Sequence, residues 1–248
     1  MIVVVDYHKG NLKSVERGLA HVGAEVRVTD DAAVIARASA VVLPGVGSFA
    51  DAAASMERLG QREAVSNRVS AGVPFLGICL GMQLLFEYGE EDAADEPVAG
   101  LGILPGTVRA LPARDARGVA YKVPHVGWNS LEPVAAAAET GGKVAGDPVS
   151  ACGSGSDGVY GAVAAGRAGE GFACDLLAGI PAGEYFYFTH SYVVPAGAAT
   201  VATTVHSIAF PSVVQAGPVA FGVQFHPEKS SDAGMALLRN FVRLAERA

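Results

Sequence analysis

A chain of 248 residues with 18 Lys and Arg against 25 Asp and Glu has a formal net charge of −7. It carries no basic cluster, so a nucleic-acid partner is not expected. Half of the residues are hydrophobic, enough for a sizeable core in one α/β domain, yet no run approaches the roughly 18 uninterrupted apolar residues of a membrane span. The three cysteines, Cys79, Cys152 and Cys174, are odd in number and irregularly spaced; they point to a reducing compartment and offer no Cys-x-x-Cys metal pair. Met1-Ile-Val-Val-Val-Asp6 lacks a basic region and reads as a first core strand, not a signal peptide, so a soluble cytoplasmic protein is expected.

In chain order, Ile2–Val5 predicts a strand and Asp6 to Asn11 a loop. Leu12, Val15, Leu19 and Val22 then recur at helical spacing, with Gly23 as the stop. A strand over residues 26–28, a helix from Asp30 and Asp31 to about residue 38, and a buried strand Ala40–Leu43 follow, the last ending at Pro44-Gly-Val-Gly47. Helices are expected over 50–59 and 61–71, then a strand over 73–78 and a helix carrying Leu80, Leu84 and Leu85. This rhythm predicts an α/β fold with a central, mostly parallel sheet and helices on both faces.

After residue 88 the character changes. Residues 89–100 are acidic and loop-like, and 101–129 hold short β-type runs, Thr107-Val-Arg109 and Tyr121-Lys-Val123, that suggest antiparallel hairpins. Strands are expected over 185–188, 200–205 and 219–225, and a capped helix over 232–245. The whole chain, 1–248, reads as one domain with an Ala/Gly-rich insertion at about 135–183, either mobile or a packed excursion. Gly153-Ser-Gly-Ser-Asp-Gly158 within it matches the dinucleotide pattern G-x-G-x-x-G. It lacks the strand before and the apolar helix after, so no cofactor is assigned to it.

The most informative stretch runs from Gly72 to Glu87. Cys79 sits where the strand turns into a helix, with Gly77 and Gly81 two residues away on each side. That is the G-x-nucleophile-x-G pattern of a nucleophile elbow, with Cys in place of Ser. The glycines leave room where backbone segments crowd, and the helix N-terminus favours a thiolate.

A cysteine nucleophile needs a base, and the base an orienting acceptor. Of six histidines, only His226 is followed at short range by a carboxylate in an orderly context, Gln224-Phe-His226-Pro-Glu228-Lys229, directly after a strand. In an extended segment residues i and i+2 share a side, so Glu228 is expected to reach His226, with Pro227 keeping the backbone out of helix. A metal pair lacks a third ligand at a recognisable spacing. Cys79, His226 and Glu228 therefore form a candidate triad. Donors for an oxyanion are expected from the backbone of Leu80 and of Gly45, Val46 and Gly47, at the carboxyl end of a neighbouring strand.

These residues resemble the triad-type (class I) glutamine amidotransferases, whose hallmarks are matched by Pro44-Gly-Val-Gly47, Gly77-Ile-Cys-Leu-Gly-Met-Gln83 and His226-Pro-Glu-Lys-Ser230. Further blocks are similar to the branch of that family serving histidine biosynthesis: Asp6-Tyr-x-x-Gly-Asn-Leu-x-Ser14, Pro44-Gly-Val-Gly-Ser-Phe49, Gly100-Leu-Gly102, Lys122-Val-Pro-His-Val-Gly-Trp-Asn129 and His190-Ser-Tyr192. The resemblance implies hydrolysis of glutamine to glutamate, with Gln83, Ser191 and Tyr192 binding the substrate's amino-acid end. It further implies delivery of ammonia to a separate cyclase subunit in a heterodimer, with no cofactor or metal, and a partner surface near Asn11, Trp128, Asn129 and Lys229. The chain departs from the family at His8 and Lys9 and in the length of the Ala/Gly-rich insertion. Two alternatives stay open: a glutaminase for another synthase, of the pyridoxal phosphate or anthranilate type, and a non-catalytic interaction protein on the same fold.

Overall fold

The computed structural model describes residues 1–134 and 171–247. Cys152 and the glycine-rich Gly153–Gly158 match lie outside them.

Short runs of β-branched and aliphatic residues form the strands of the first half. They are β1 (Ile2–Val5), β2 (Val26–Thr29), β3 (Ala40–Leu43) and β4 (Phe75–Ile78). Between them lie α1 (Leu12–His21), α2 (Ala32–Ile35), α3 (Phe49–Arg58) and α4 (Gln61–Ser70). N-caps start the helices where the sequence supplies them: the Asp31 carboxylate accepts from the Ala33 N–H at 2.8 Å, and Ser48 Oγ from the Asp51 N–H at 3.4 Å. After β4 come a single helical turn, α5 (Leu80–Gln83), then β5 (Phe86–Gly89), β6 (Val98–Ala99), β7 (Leu104–Ala110), β8 (His125–Ser130) and β9 (Glu132–Pro133). The last part holds β10 (Tyr185–His190), β11 (Tyr192–Val193), β12 (Thr200–Val205), β13 (Ala209–Ala216), β14 (Ala220–Val223) and α6 (Ser231–Arg247).

The main sheet has eight strands in the order β2-β1-β3-β4-β14-β13-β12-β9. Its first five strands run parallel and the last pairings are antiparallel. Side chains alternate across it, so each strand supplies both faces. Val4, Val42, Leu76 and Phe221 pack on one side with Leu19 of α1 and Leu238 and Phe241 of α6. Val3, Val5, Val41 and Phe75 pack on the other with Ile35 of α2, Met56 of α3 and Val65 of α4. A four-stranded sheet, β11-β7-β5-β6, and a two-stranded ribbon, β10-β8, complete the described fold.

The structure departs from the expectations in helix length and hairpin pairing, adds a strand, and decides between two alternatives for part of the insertion. The helix after Cys79 lasts one turn. The Leu84 carbonyl accepts from Leu101 and the Leu85 carbonyl from Ile103 and Leu104, so tertiary partners take groups that a longer helix would have used. Residues 101–129 hold one short local antiparallel turn, with Arg114 bridged to Ala120 and the Tyr121 N–H donating to the Ala113 carbonyl at 2.8 Å. Otherwise the pairing is distant, β7 lying parallel to β5 and antiparallel to β11 and β8 antiparallel to β10, while Tyr121-Lys-Val123 lies outside any strand. The strand β13 had no counterpart in the sequence reading, and it carries Pro211, a residue rare inside sheets. Pro211 lies opposite Thr203 of β12, next to a register shift between Ala202 and Thr203, the kind of irregularity at which a sheet accepts proline. Of the two alternatives left open for the insertion, residues 171–183 take the packed one. Cys174, Leu176, Leu177 and Ile180 are buried around a 3-10 turn, with Asn240 of α6 donating to the Leu176 and Ala178 carbonyls.

Candidate active site

The sheet register brings the candidate triad together. Ile78 of β4 lies opposite Val223 of β14, and the Cys79 N–H donates to the Val223 carbonyl at 2.7 Å. His226 follows three residues later, so nucleophile and base leave the carboxyl ends of adjacent parallel strands. On the other side Leu43 of β3 pairs with Gly77, which sets Pro44 to Gly47 at the same edge.

Cys79 adopts φ 54° and ψ −107°, a conformation a non-glycine residue rarely takes. The elbow needs glycine around it. A Cβ on Gly81 would collide with the Leu43 carbonyl oxygen, and one on Gly77 would come within 2.5 Å of the Gly81 carbonyl oxygen. The pattern read from sequence thus has a steric cause.

His226 Nδ1 lies 2.9 Å from Glu228 Oε1, and both side chains are almost fully buried. The segment linking them is not extended, as expected from sequence, but a 3-10 turn over Pro227–Lys229. Proline is compatible with a first helical position, so it opens this turn instead of forbidding it. Ser230 locks the geometry: its Oγ donates to the His226 carbonyl at 2.6 Å and accepts from the Tyr187 N–H at 3.0 Å. With Nδ1–H donated to Glu228, Nε2 makes no other hydrogen bond and is left for Cys79. Burial opposes a charge on His226. The facing Cys79 and the Glu228 carboxylate outweigh it and lift the imidazole to about 9.

These groups line a cavity of about 190 Å³ together with Gly45, Val46, Gly47, Leu80, Gln83, Glu91, Thr189, His190, Ser191 and Tyr192. Every residue named from sequence as an oxyanion or substrate contact is therefore on its wall. Gln83 is constrained there, since its Nε2 donates both to the Tyr192 carbonyl and to Gln224 Oε1, each at 3.0 Å. Its carboxamide oxygen alone remains for a ligand.

Sequence reading missed Glu91, Gln224, His125, His190 and Tyr7. Glu91 is half-buried on the cavity wall, one oxygen accepting from the Phe49 N–H at 3.0 Å, and desolvation raises its carboxyl pKa. Nothing in the acidic run 89–100 singled it out. Gln224 did carry a signal, standing two residues before His226 and hence on its side of the strand end. His190 Nδ1 donates to the Tyr192 carbonyl, and its Nε2 accepts from His125 Nδ1, both at 3.0 Å. Burial keeps both rings neutral, His190 at about 3 and His125 at about 4. Tyr7 is fully buried beside Gly45 and Cys79, and its pKa is raised by desolvation and by the sulfur.

The four partner-surface residues are spread differently. Trp128 is 50% exposed and meets Tyr187 edge-on at 6.0 Å, while the Lys229 ammonium lies 6.0 Å from the centre of the same ring. Asn11 is exposed at the start of α1. Asn129 is less available than expected: its Nδ2 hydrogens go to the Val205 carbonyl at 2.9 Å and to His125 Nε2 at 3.3 Å. Among the described residues no cluster of His, Cys, Asp or Glu is placed to hold a metal, and no helix is long and apolar enough to cross a membrane.

A parallel sheet with a strained cysteine elbow and a buried His-Glu pair at its carboxyl edge is the arrangement of an amide-cleaving acyl-transfer enzyme. The chain belongs to the class I glutamine amidotransferases: the family model "Glutamine amidotransferase class-I" matches residues 3–245. Among its relatives, imidazole glycerol phosphate synthase subunit HisH of Moorella thermoacetica is 41% identical, covering 100% of this chain and 96% of that one. The protein of the same name from Shouchella clausii is 39% identical, with 99% of each covered. A solved glutamine amidotransferase superposes with a TM-score of 0.61 over 99% of this chain and 98% of its own, at 18% identity, which supports the fold alone.

Proposed function

We propose that this chain is the glutaminase subunit of imidazole glycerol phosphate synthase, acting as a single cytoplasmic domain. The observation that carries the chemistry is the orientation of His226, with Nδ1 committed to Glu228 and Nε2 turned to Cys79. In this reading the thiol proton already rests on His226, and Sγ attacks the side-chain amide carbon of glutamine. N–H groups of Leu80 and of Gly45 to Gly47 hold the oxyanion. The proton passes from His226 to the leaving nitrogen, ammonia departs, and water cleaves the thioester to glutamate. Ser191, Tyr192 and the Gln83 oxygen hold the substrate's amino-acid end, and Glu91 faces its ammonium. The full-length relatives named HisH support the client: a HisF-like cyclase subunit that takes the ammonia to form imidazole glycerol phosphate and aminoimidazole carboxamide ribotide. Trp128, Tyr187 and Lys229 supply the docking surface.

The test mixes the chain with the cyclase and its ribotide substrate and measures glutamate release. Release that depends on the partner and vanishes in Cys79→Ala is expected. Release undiminished in Cys79→Ala, or no release at all, would overturn the reading.

A further inference from the structure

The sulfur of Cys79 has a polar neighbour that the triad does not include. Gln224 is fully buried, and its Nε2 lies 3.5 Å from Sγ. Hydrogen-bond direction settles which end of the carboxamide faces the sulfur. The Tyr192 carbonyl only accepts, so the Gln83 atom 3.0 Å away is Nε2, a donor. That same Nε2 lies 3.0 Å from one end of the Gln224 amide, which must then be the oxygen. The NH₂ group is left for the sulfur. Two buried carboxamides thus transmit the polarity of a main-chain carbonyl to the nucleophile. Besides His226, the sulfur also meets the Thr189 carbonyl at 3.8 Å, which accepts from a thiol and gives nothing to a thiolate.

We propose that Gln224 is a catalytic residue whose amide N–H donates to the Cys79 thiolate, and that Gln83 is the positioning residue that aims it. The inference rests on the glutaminase reading for its catalytic meaning, but the contact itself is tested without glutamine. A donor to sulfur favours the ionised form, whose negative charge makes the hydrogen bond stronger. The site needs such a donor before attack, when Sγ carries negative charge, and again when the thioester is cleaved and the sulfur departs as an anion.

The test is alkylation of Cys79 by iodoacetamide in the full chain, followed by the mass of the peptide containing it, from about pH 5 to about pH 10. The titratable groups around the sulfur, His226, Tyr7, Glu91 and His190, are unaltered in each variant. In Gln224→Met, which keeps length and removes the donor, the pH of half-maximal alkylation rises by about one unit. In Gln83→Met it rises by less, since Gln224 remains but is free to turn. A merely packing role would lower the thermal midpoint and leave the alkylation profile in place, and that result in folded Gln224→Met would overturn the proposal. Should Gln224→Met not fold, an unchanged profile in Gln83→Met overturns it. A shifted profile in a chain that releases no glutamate with its partner would uphold this contact and defeat the glutaminase reading.

Discussion

Glu228 Oε1 sits 2.9 Å from His226 Nδ1 inside a three-residue 3-10 turn, and the other carboxylate oxygen of Glu228 makes no hydrogen bond. The carboxylate is thus kept for the imidazole alone. Glu228→Gln retains the shape and removes the charge that stabilises the imidazolium. Glutamate release in the complex is expected to fall by about 10²-fold or more, with little change in KM. A Glu228→Gln enzyme as fast as the native one would remove Glu228 from the triad.

The paired histidines make a prediction about acid. Burial holds His125 at about 4 and His190 at about 3, against 6.5 for an unhindered imidazole. Below 6.5 the unfolded chain therefore binds protons that the folded chain refuses. Their contribution to stability is complete above 6.5 and is lost as pH falls through 4 towards 3. Urea midpoints measured across this window should drop steeply in the native chain and less in His125→Gln. Parallel slopes in the two proteins would contradict the assignment.

Gly81→Ala places a methyl group against the Leu43 carbonyl oxygen, where neither backbone can yield without moving β3 or the elbow. A loss of about 3 kcal/mol or more in unfolding free energy is expected, with glutaminase activity abolished in any folded fraction. Chemical denaturation and activity assays on the same preparation check both.

Glu91 touches the cavity through a half-buried carboxylate with one oxygen committed to Phe49 N–H. Glu91→Gln keeps that acceptor and removes the charge proposed to face the substrate's ammonium. The expected signature is a KM for glutamine raised by about tenfold or more, with a smaller change in kcat. A fall in kcat alone would point to a role in chemistry.

Much of the site was legible because its chemistry is local in sequence. Gly77, Cys79 and Gly81 announce a tight strand-helix turn, and His226 and Glu228 stand two residues apart. What joins them was misread: an extended segment was expected where Pro227 opens a 3-10 turn. The helix after the elbow was overextended for a similar reason, since Leu84 and Leu85 have helical spacing but their carbonyls serve residues 101–104. The place of Glu91 and the pairing of His125 with His190 were not legible, since their partners lie far along the chain.

By itself, then, the order of residues determined the alternation of strands and helices, the elbow and the candidate nucleophile and base. Those depend on steric and periodic rules that act within a few residues. Only the tertiary structure decided what surrounds the sulfur. The pairing of β4 with β14 sets Gln224 beside Cys79, and the Tyr192 carbonyl, reached through Gln83, dictates which end of that amide points inward. Hydrogen-bond direction is a property of groups in contact, and contact between residues more than a hundred positions apart exists only once the sheet has formed.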